Sequence, residues 1–358
     1  MITATRPFVP DINLYNEKVR QMFEKAWFTN HGAFVTELEQ KLADYFGAKY
    51  FLLVTNGTIS LQLAIKALDL HGEIITTPFS YVATTSAIAW ENCSPVFADI
   101  NKADFNIDPS KIEALITDKT SAILATNVFG YPCDFEAIDK IAKKNNLKVI
   151  YDSAHVFGTK LNGESILNQG DISSVSFHAT KLFHSVEGGG IFCNSEATYN
   201  KLKLLRNFGH TSPETFGGMG INAKMNEVCA AMGLCNYGYI NEILAKRKEQ
   251  WLLYRNKIKN PKASFAAYDL DSIDYNYAYF PVVIESEELL LKIMDLLMAN
   301  GIQTRRYFYP SLNTLNYVNY LPCPVSEDIS RRIFCLPLYH ELSEKDQLDI
   351  CNLINSAC

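Results

Sequence analysis

The stretch SFHATKLFHSVEGGG, residues 176–190, holds Lys181 between His178 and His184 and ends in three glycines. An amine that follows an apolar run and precedes residues permitting close backbone approach is placed to attack a carbonyl compound, or to exchange protons with one, once burial lowers its proton affinity. The alternative is a surface charge, the usual state of a lysine. A second chemically capable group closes the run LKVIYD: Asp152, followed by Ser153, Ala154 and His155. A carboxylate leaving so apolar a run needs a cation, either a structural salt bridge or the protonated nitrogen of a bound heterocycle. His155 stands a helical step away, and D-x-x-H alone is a weak metal pattern.

Two other segments offer complementary groups. After YFLLVT come Asn56, Gly57 and Thr58, then a helical pattern. Gly57 allows a tight turn, and Thr58 sits where free amides and the helix dipole favour an anion, although a threonine there also serves as a plain cap. After EIITTP come Phe79, Ser80 and Tyr81. An aromatic at that point either fills core or covers the face of a flat ring.

The elements that must position these groups are legible as a rhythm. The runs at 50–55, 73–78, 95–100, 121–126, 147–152, 172–177 and 188–194 read as strands, most of them separated by helical periodicities such as SLQLAIKALDL, VATTSAIAWEN and CDFEAIDKIAKKNN. This alternation predicts a three-layer α/β domain on a mainly parallel sheet, with an antiparallel edge where no helix separates the last two strands. In such sheets ligands gather at the carboxyl ends of the strands, which is where all four segments fall. Ahead of the rhythm, PDINLYNEKVRQMF places Ile12, Tyr15 and Val19 on one stripe, and FVTELEQKLADYFG spaces Leu38, Leu42 and Phe46 by four before a glycine stop. Beyond 195 helical text dominates. The long segment from KMNEV to RNKI hinges near CNYGY, and strand NYAYFPVVI with helices EELLLKIMDLLMANG and EKDQLDICNLINSA forms a smaller mixed unit. The division is expected near 245, giving a large domain over 1–245 with an N-terminal arm and a small C-terminal domain over 246–358.

Composition narrows the classes. A net charge of −6 and no lysine- or arginine-rich face or tail argue against nucleic acid. The nine cysteines are odd in number and lack zinc-ligand spacing, so reduced, mostly buried thiols in a cytoplasmic protein are expected. MITATRPFVP has no signal-peptide character and no apolar run is long enough for a membrane span, so a soluble, unprocessed chain is expected. Neither a dinucleotide fingerprint nor a P-loop follows the first strand.

An anion site, an aromatic lid, a buried carboxylate and an amine together match pyridoxal 5'-phosphate. Its phosphate suits a helix N-terminus, its ring an aromatic face, its pyridine nitrogen a carboxylate and its aldehyde a lysine.

At these residues the chain resembles the sugar aminotransferases of the DegT/DnrJ/EryC1/StrS family, over essentially its whole length. The resemblance is carried by WFTNHG, TNGTISLQLA, TPFSYVATTSAI, VIYDSAHVFG, GDISSVSFHATK with the following EGGG, LRNFGH, GINAKMNEVCAAMGL and RRYFYPSL. It implies the aspartate-aminotransferase-like fold type I, with a seven-stranded sheet in the large domain. By resemblance, Lys181 is the lysine that forms the internal aldimine and shuttles the proton, and Asp152 is the partner of the pyridine nitrogen. His155 lies by the ring hydroxyl and Tyr81 stacks on the ring. Gly57, Thr58, Ile59 and Ser176 bind the phosphate. Asn222 reaches the phosphate of the neighbouring subunit, so a homodimer with a shared active site is implied. Where the family carries an acidic pair this chain has Tyr151, Asp152 and Ser153, with the essential aspartate kept. Relatives that become sugar dehydratases replace the lysine by histidine; here Lys181 is present.

The implied reaction is ping-pong transfer from L-glutamate to a nucleotide-linked keto sugar, whose diphosphate has Lys224, Arg305 and Arg306 as candidate partners. The same stretches are most similar to members converting dTDP-4-keto-6-deoxy-D-glucose to dTDP-4-amino-4,6-dideoxy-D-glucose, which feeds bacterial surface polysaccharides such as O-antigen. A 3-keto isomer and UDP-linked sugars stay open, because the cofactor residues are common to all of them. The rivals are a dehydratase or lyase on the same cofactor, and a cofactor-sensing regulator; no helix-turn-helix segment supports the latter.

Overall fold

The seven apolar runs fold as one sheet in a computed structural model that describes residues 1–357. The strands are β1 (Tyr50–Val54), β2 (Glu73–Thr76), β3 (Ser94–Phe97), β4 (Thr120–Thr126), β5 (Lys148–Asp152), β6 (Ile172–Ser176) and β7 (Gly189–Cys193). Their order across the sheet is β1, β7, β6, β5, β4, β2, β3. All run parallel except β7, which is antiparallel to both neighbours. The expected antiparallel strand is therefore present, but one place in from the edge. Residues 177–188 contain no crossover helix, so the chain turns back beside β6, and β1 then closes that side.

Alternate residues of each strand face opposite layers. Leu52, Val54, Ile150 and Ile172 pack under helix Gly57–Ala67 with Leu61, Ala64 and Ile65. Phe51, Leu53, Val175 and Phe192 face the layer holding Leu38, Leu42 and Phe46 of helix Ala33–Phe46. That helix carries the stripe expected for it. In helix Ile12–Lys25 the buried stripe is displaced: Tyr15 and Val19 pack against the core and Met22 is buried, whereas Ile12 is 60% exposed.

Helix Ala33–Phe46 has no side-chain cap of its own, because Gly32 stands at the cap position. The buried Glu227 supplies it from 193 and 192 residues downstream, accepting hydrogen bonds from the amides of Phe34 and Val35, both at 2.9 Å. Glu227→Ala strands two buried amides, so it is expected to lower the unfolding free energy by about 2–4 kcal/mol. Glu227→Gln, which retains one acceptor, should lose roughly half of that. Urea titration of the two variants checks the order, and equal stability of Glu227→Ala and the parent would remove the capping role.

The long C-terminal helical text breaks as expected, into Glu227–Tyr237 and Ile240–Lys257. Position 245 lies inside the second helix, which we propose as the element shared by the two domains. The smaller unit is an antiparallel sheet, Ala263–Ser264, Pro281–Ile284 and Ile333–Cys335, covered by helices Glu287–Ala299 and Glu344–Ser356. Helix Pro324–Arg332 is not apparent in the sequence pattern. The buried Asp99, just past β3, caps it by accepting from the amides of Val325 and Ser326, both at 2.9 Å. The strand expected over NYAYFPVVI begins only at Pro281. Its first residues are drawn to the large domain instead, where the buried Asn276 side chain donates to the carbonyls of His155 at 2.7 Å and Phe157 at 3.0 Å. Among the described residues, the cysteines are all free thiols and no helix is long and apolar enough to cross a membrane.

Candidate active site

The carboxyl ends of β1, β2, β4, β5 and β6 surround a cavity of about 630 Å³. Gly57, Thr58, Ile59, Tyr81, Asp152, His155, Ser176, Lys181 and Arg305 all line it. Asn222, Lys224 and Arg306 do not.

At one end is the N-terminus of helix Gly57–Ala67. Asn56, not Thr58, caps it, its side chain accepting from the Ile59 amide at 2.9 Å. This leaves the amides of Gly57 and Thr58, which have no carbonyl one turn earlier in the helix, for an anion. Close approach shapes this end. A Cβ on Gly57 would lie 2.9 Å from that of Ser176, and one on Gly189 would lie 2.5 Å from the Asn56 carbonyl carbon. The turn, the end of β6 and the start of β7 therefore meet with no room for side chains at these two positions.

Asp152 ends β5 and is buried. Its Oδ2 accepts from Thr84 Oγ1 at 2.6 Å and its Oδ1 from the Ala154 amide at 3.1 Å. Thr126 Oγ1 donates to Ser80 Oγ at 3.0 Å, and Ser80 lies 2.7 Å from Thr84 Oγ1. Since Thr84 gives its hydrogen to the carboxylate, Ser80 must donate to Thr84, so the three hydroxyls form a one-way chain ending on Asp152. Sequence reasoning missed Ser80, Thr84 and Thr126, because hydroxyl residues at strand ends and in first helical turns are common. Burial raises the Asp152 pKa, while the Thr84 and Ala154 hydrogen bonds and nearby Lys181 oppose that rise. Among the described residues Asp152 has no salt bridge; the structural cation that would make it an ordinary buried ion pair is absent.

Lys181 lies on the loop between β6 and β7. Its ammonium is enclosed, and burial brings its pKa from 10.5 down to about 8, with Asp152 opposing and Arg305 assisting the fall. Nζ donates to the Tyr279 hydroxyl at 3.4 Å. His155 is buried, its ring parallel to those of Phe129 and Phe308, and its Nδ1 has no partner. Burial holds its pKa well below the usual imidazole range. Tyr81, half exposed, precedes helix Val82–Trp90. His178 lines the cavity but bonds Thr180 at 2.8 Å, and His184 Nε2 donates to the Phe8 carbonyl at 2.7 Å, so neither substitutes for Lys181.

Of the basic candidates, only Arg305 faces the cavity, its guanidinium 4.3 Å from the Tyr307 ring centre. Arg306 must be set aside: Glu287 at 2.7 Å and the Arg331 carbonyl at 2.8 Å hold it elsewhere. Lys224 donates to Asn207 at 2.9 Å and covers Phe208, and Asn222 is exposed.

The model of the DegT/DnrJ/EryC1/StrS aminotransferase family matches residues 11–355. The chain is 39% identical over 348 residues to dTDP-4-amino-4,6-dideoxy-D-glucose transaminase of Shigella dysenteriae, covering 96% of this chain and 95% of the relative. It is 36% identical to the enzyme of the same name from Escherichia coli, covering 99% and 98%. It superposes on the crystal structure of DesI, determined in the presence of its TDP-sugar product, with a TM-score of 0.93 at 30% identity, covering 99% of this chain and 92% of that one. The chain belongs to the DegT/DnrJ/EryC1/StrS aminotransferase family, and so to the pyridoxal phosphate-dependent aminotransferases of fold type I.

Proposed function

We propose that the protein transfers the amino group of L-glutamate to dTDP-4-keto-6-deoxy-D-glucose, yielding dTDP-4-amino-4,6-dideoxy-D-glucose. The observation that carries the reading is the meeting of the buried Asp152 and the half-buried Lys181, neither in a salt bridge among the described residues, in one cavity with a helix N-terminus at its end. The substrate rests on the likeness to the Shigella and Escherichia coli transaminases.

Pyridoxal phosphate fits this cavity. The Gly57 and Thr58 amides, with Ser176, suit its phosphate; Asp152 suits a cationic ring nitrogen; Tyr81 offers a ring face; and Lys181 can hold the aldehyde carbon covalently. When bound, the cofactor supplies an electron sink for the substrate carbon that loses or gains a proton. The chain's own part is positional and acid–base. Asp152, oriented by the hydroxyl chain, keeps a negative charge at the ring-nitrogen position. His155, kept neutral by burial, presents an imidazole beside it. Lys181, once its amine is free, takes a proton from the donor's α-carbon and returns one to the sugar carbon. Its depressed pKa suits both tasks near neutrality.

Arg305, on the cavity wall and in no salt bridge among the described residues, is assigned to an anionic group of the substrates. Arg305→Ala is expected to raise the KM for the sugar nucleotide about tenfold or more, the loss of a charge-assisted hydrogen bond. Arg306→Ala should change that KM less than threefold, since its partners lie outside the cavity. Steady-state kinetics on both variants decides, and an inverted order would return Arg306 to the site.

We also propose a homodimer with a shared active site. Asn222 and Lys224 miss their own cavity, and Phe216, Met219 and Ile221 beside them are 65%, 73% and 44% exposed, apolar surface that a second copy would cover. Absorbance spectra of the cofactor-loaded protein before and after L-glutamate test the donor half-reaction. Adding the 4-keto sugar nucleotide and then its 3-keto isomer, with the product identified by NMR, tests the acceptor. Colour that glutamate cannot discharge would overturn the donor assignment, and turnover of the 3-keto isomer alone would overturn the acceptor.

A further inference from the structure

We propose that Tyr279 is a positioning residue of the transfer, its phenol holding the Lys181 amine within the cavity whenever that amine is not bound to the cofactor. The proposal rests on the aminotransferase reading above. It starts from the hydrogen bond between Lys181 Nζ and the Tyr279 hydroxyl, 3.4 Å, which crosses from the β6–β7 loop to the segment entering the small sheet.

That phenol is firmly placed. Tyr279 is buried, its ring 4.6 Å from His155 and 5.7 Å from Phe129 between centroids. Its carbonyl accepts from Trp251 Nε1 at 3.1 Å, and the Ala278 carbonyl accepts from the buried Arg247 at 3.3 Å. Two residues earlier, Asn276 binds the large domain through the His155 and Phe157 carbonyls. The backbone is thus fixed from the long helix on one side and from the end of β5 on the other. This explains why residues 276–280 leave the ladder that their apolar pattern would have joined.

Burial raises the phenol's pKa, so the hydroxyl is neutral and can both donate and accept. An amine that is freed, protonated and deprotonated in each cycle needs a partner for both of its forms. A neutral hydroxyl meets that need, accepting from the ammonium and donating to the free amine. No other hydrogen-bond partner of Nζ is present among the described residues. The charged neighbours are Asp152 and Arg305, with Tyr81 also facing it, and none of these three bonds it.

A charge-assisted hydrogen bond is about twice as strong as a neutral one, so removing the hydroxyl should cost the ammonium more than the amine. In ligand-free protein, the pH midpoint for acylation of Lys181 by trace acetic anhydride, read by mass spectrometry, should fall in Tyr279→Phe by about half a unit or more. In the cofactor-loaded enzyme the glutamate half-reaction should slow about tenfold, with the half-saturating glutamate concentration within about twofold of the parent. Trp251→Phe, which unties the Tyr279 carbonyl but keeps the phenol, should move the midpoint the same way by less. It also serves if Tyr279→Phe folds poorly by thermal unfolding. An unchanged midpoint in both variants overturns the proposal. A fall in rate with no midpoint shift, matched by raised half-saturation, also overturns it, since that marks a merely structural residue. A wild-type protein that takes up no pyridoxal phosphate overturns the cofactor reading and the role in transfer with it, whereas normal uptake with an unmoved midpoint overturns Tyr279 alone.

Discussion

Lys181→Ala should take up pyridoxal phosphate yet turn over about a thousandfold more slowly, or worse, as expected when a group that is both covalent anchor and general acid–base is lost. Binding is expected to survive because the amides of Gly57 and Thr58, Ser176 and Asp152 are independent of the lysine. Borohydride reduction separates the two roles. In the parent it should fix the cofactor's mass on the peptide carrying Lys181, and in the variant on none. The amine's environment adds a pH signature. Covalent capture requires the unprotonated amine, and the Lys181 pKa is brought from 10.5 to about 8 by burial. The capture rate in ligand-free protein should therefore rise with pH and level off just above 8, roughly two units earlier than for an exposed lysine. Stopped-flow absorbance follows it directly. Full turnover in Lys181→Ala, or mass fixed on a different lysine, would refute the assignment.

The sheet and the strand-end residues were legible for the same reason. A strand buried on both faces is written as an unbroken apolar run, so the polar residue that ends it is conspicuous. LKVIYD points at Asp152 and ISSVSF at the loop carrying Lys181. What surrounds those groups was not legible. The Ser80–Thr84–Thr126 chain is built from residues in two separate segments, each ordinary by itself. Tyr279 was hidden inside NYAYFPVVI, which reads as a plain strand because nothing local reveals that Asn276 and Trp251 pull it out of the ladder. Arg305 and Arg306 are adjacent, and only the backbone decides which faces the cavity and which meets Glu287. Caps between distant segments, Glu227 on the amides of Phe34 and Val35 and Asp99 on those of Val325 and Ser326, are invisible for the same reason. Local pattern encodes what a segment buries; it does not encode which far segment completes it.

Asp152→Asn should slow the glutamate half-reaction about a hundredfold or more, the scale of losing one preorganised charge opposite a developing one. The substitution is nearly isosteric, but the site is not neutral toward it. Both carboxylate oxygens accept, one from Thr84 and one from the Ala154 amide. An asparagine amide must therefore set its NH₂ against one of those donors, and the hydroxyl chain through Ser80 to Thr126 loses its acceptor end or has to reverse. Stability gives a second, independent reading. Burial raises the Asp152 pKa above that of an unfolded aspartate, so the ligand-free fold binds this proton more tightly than the unfolded chain does. Stability is then lost as pH rises from the unfolded value through the raised folded one. A cation placed against the carboxylate reverses this, so loading the parent with pyridoxal phosphate at neutral pH should raise its Tm by several degrees. Asp152→Asn has no charge to compensate, and its Tm should respond less to the same cofactor concentration. Equal rates and equal thermal shifts in parent and variant would remove Asp152 from the mechanism. An equal shift with a lost rate would instead confine it to the chemical step, with binding carried by the helix N-terminus alone.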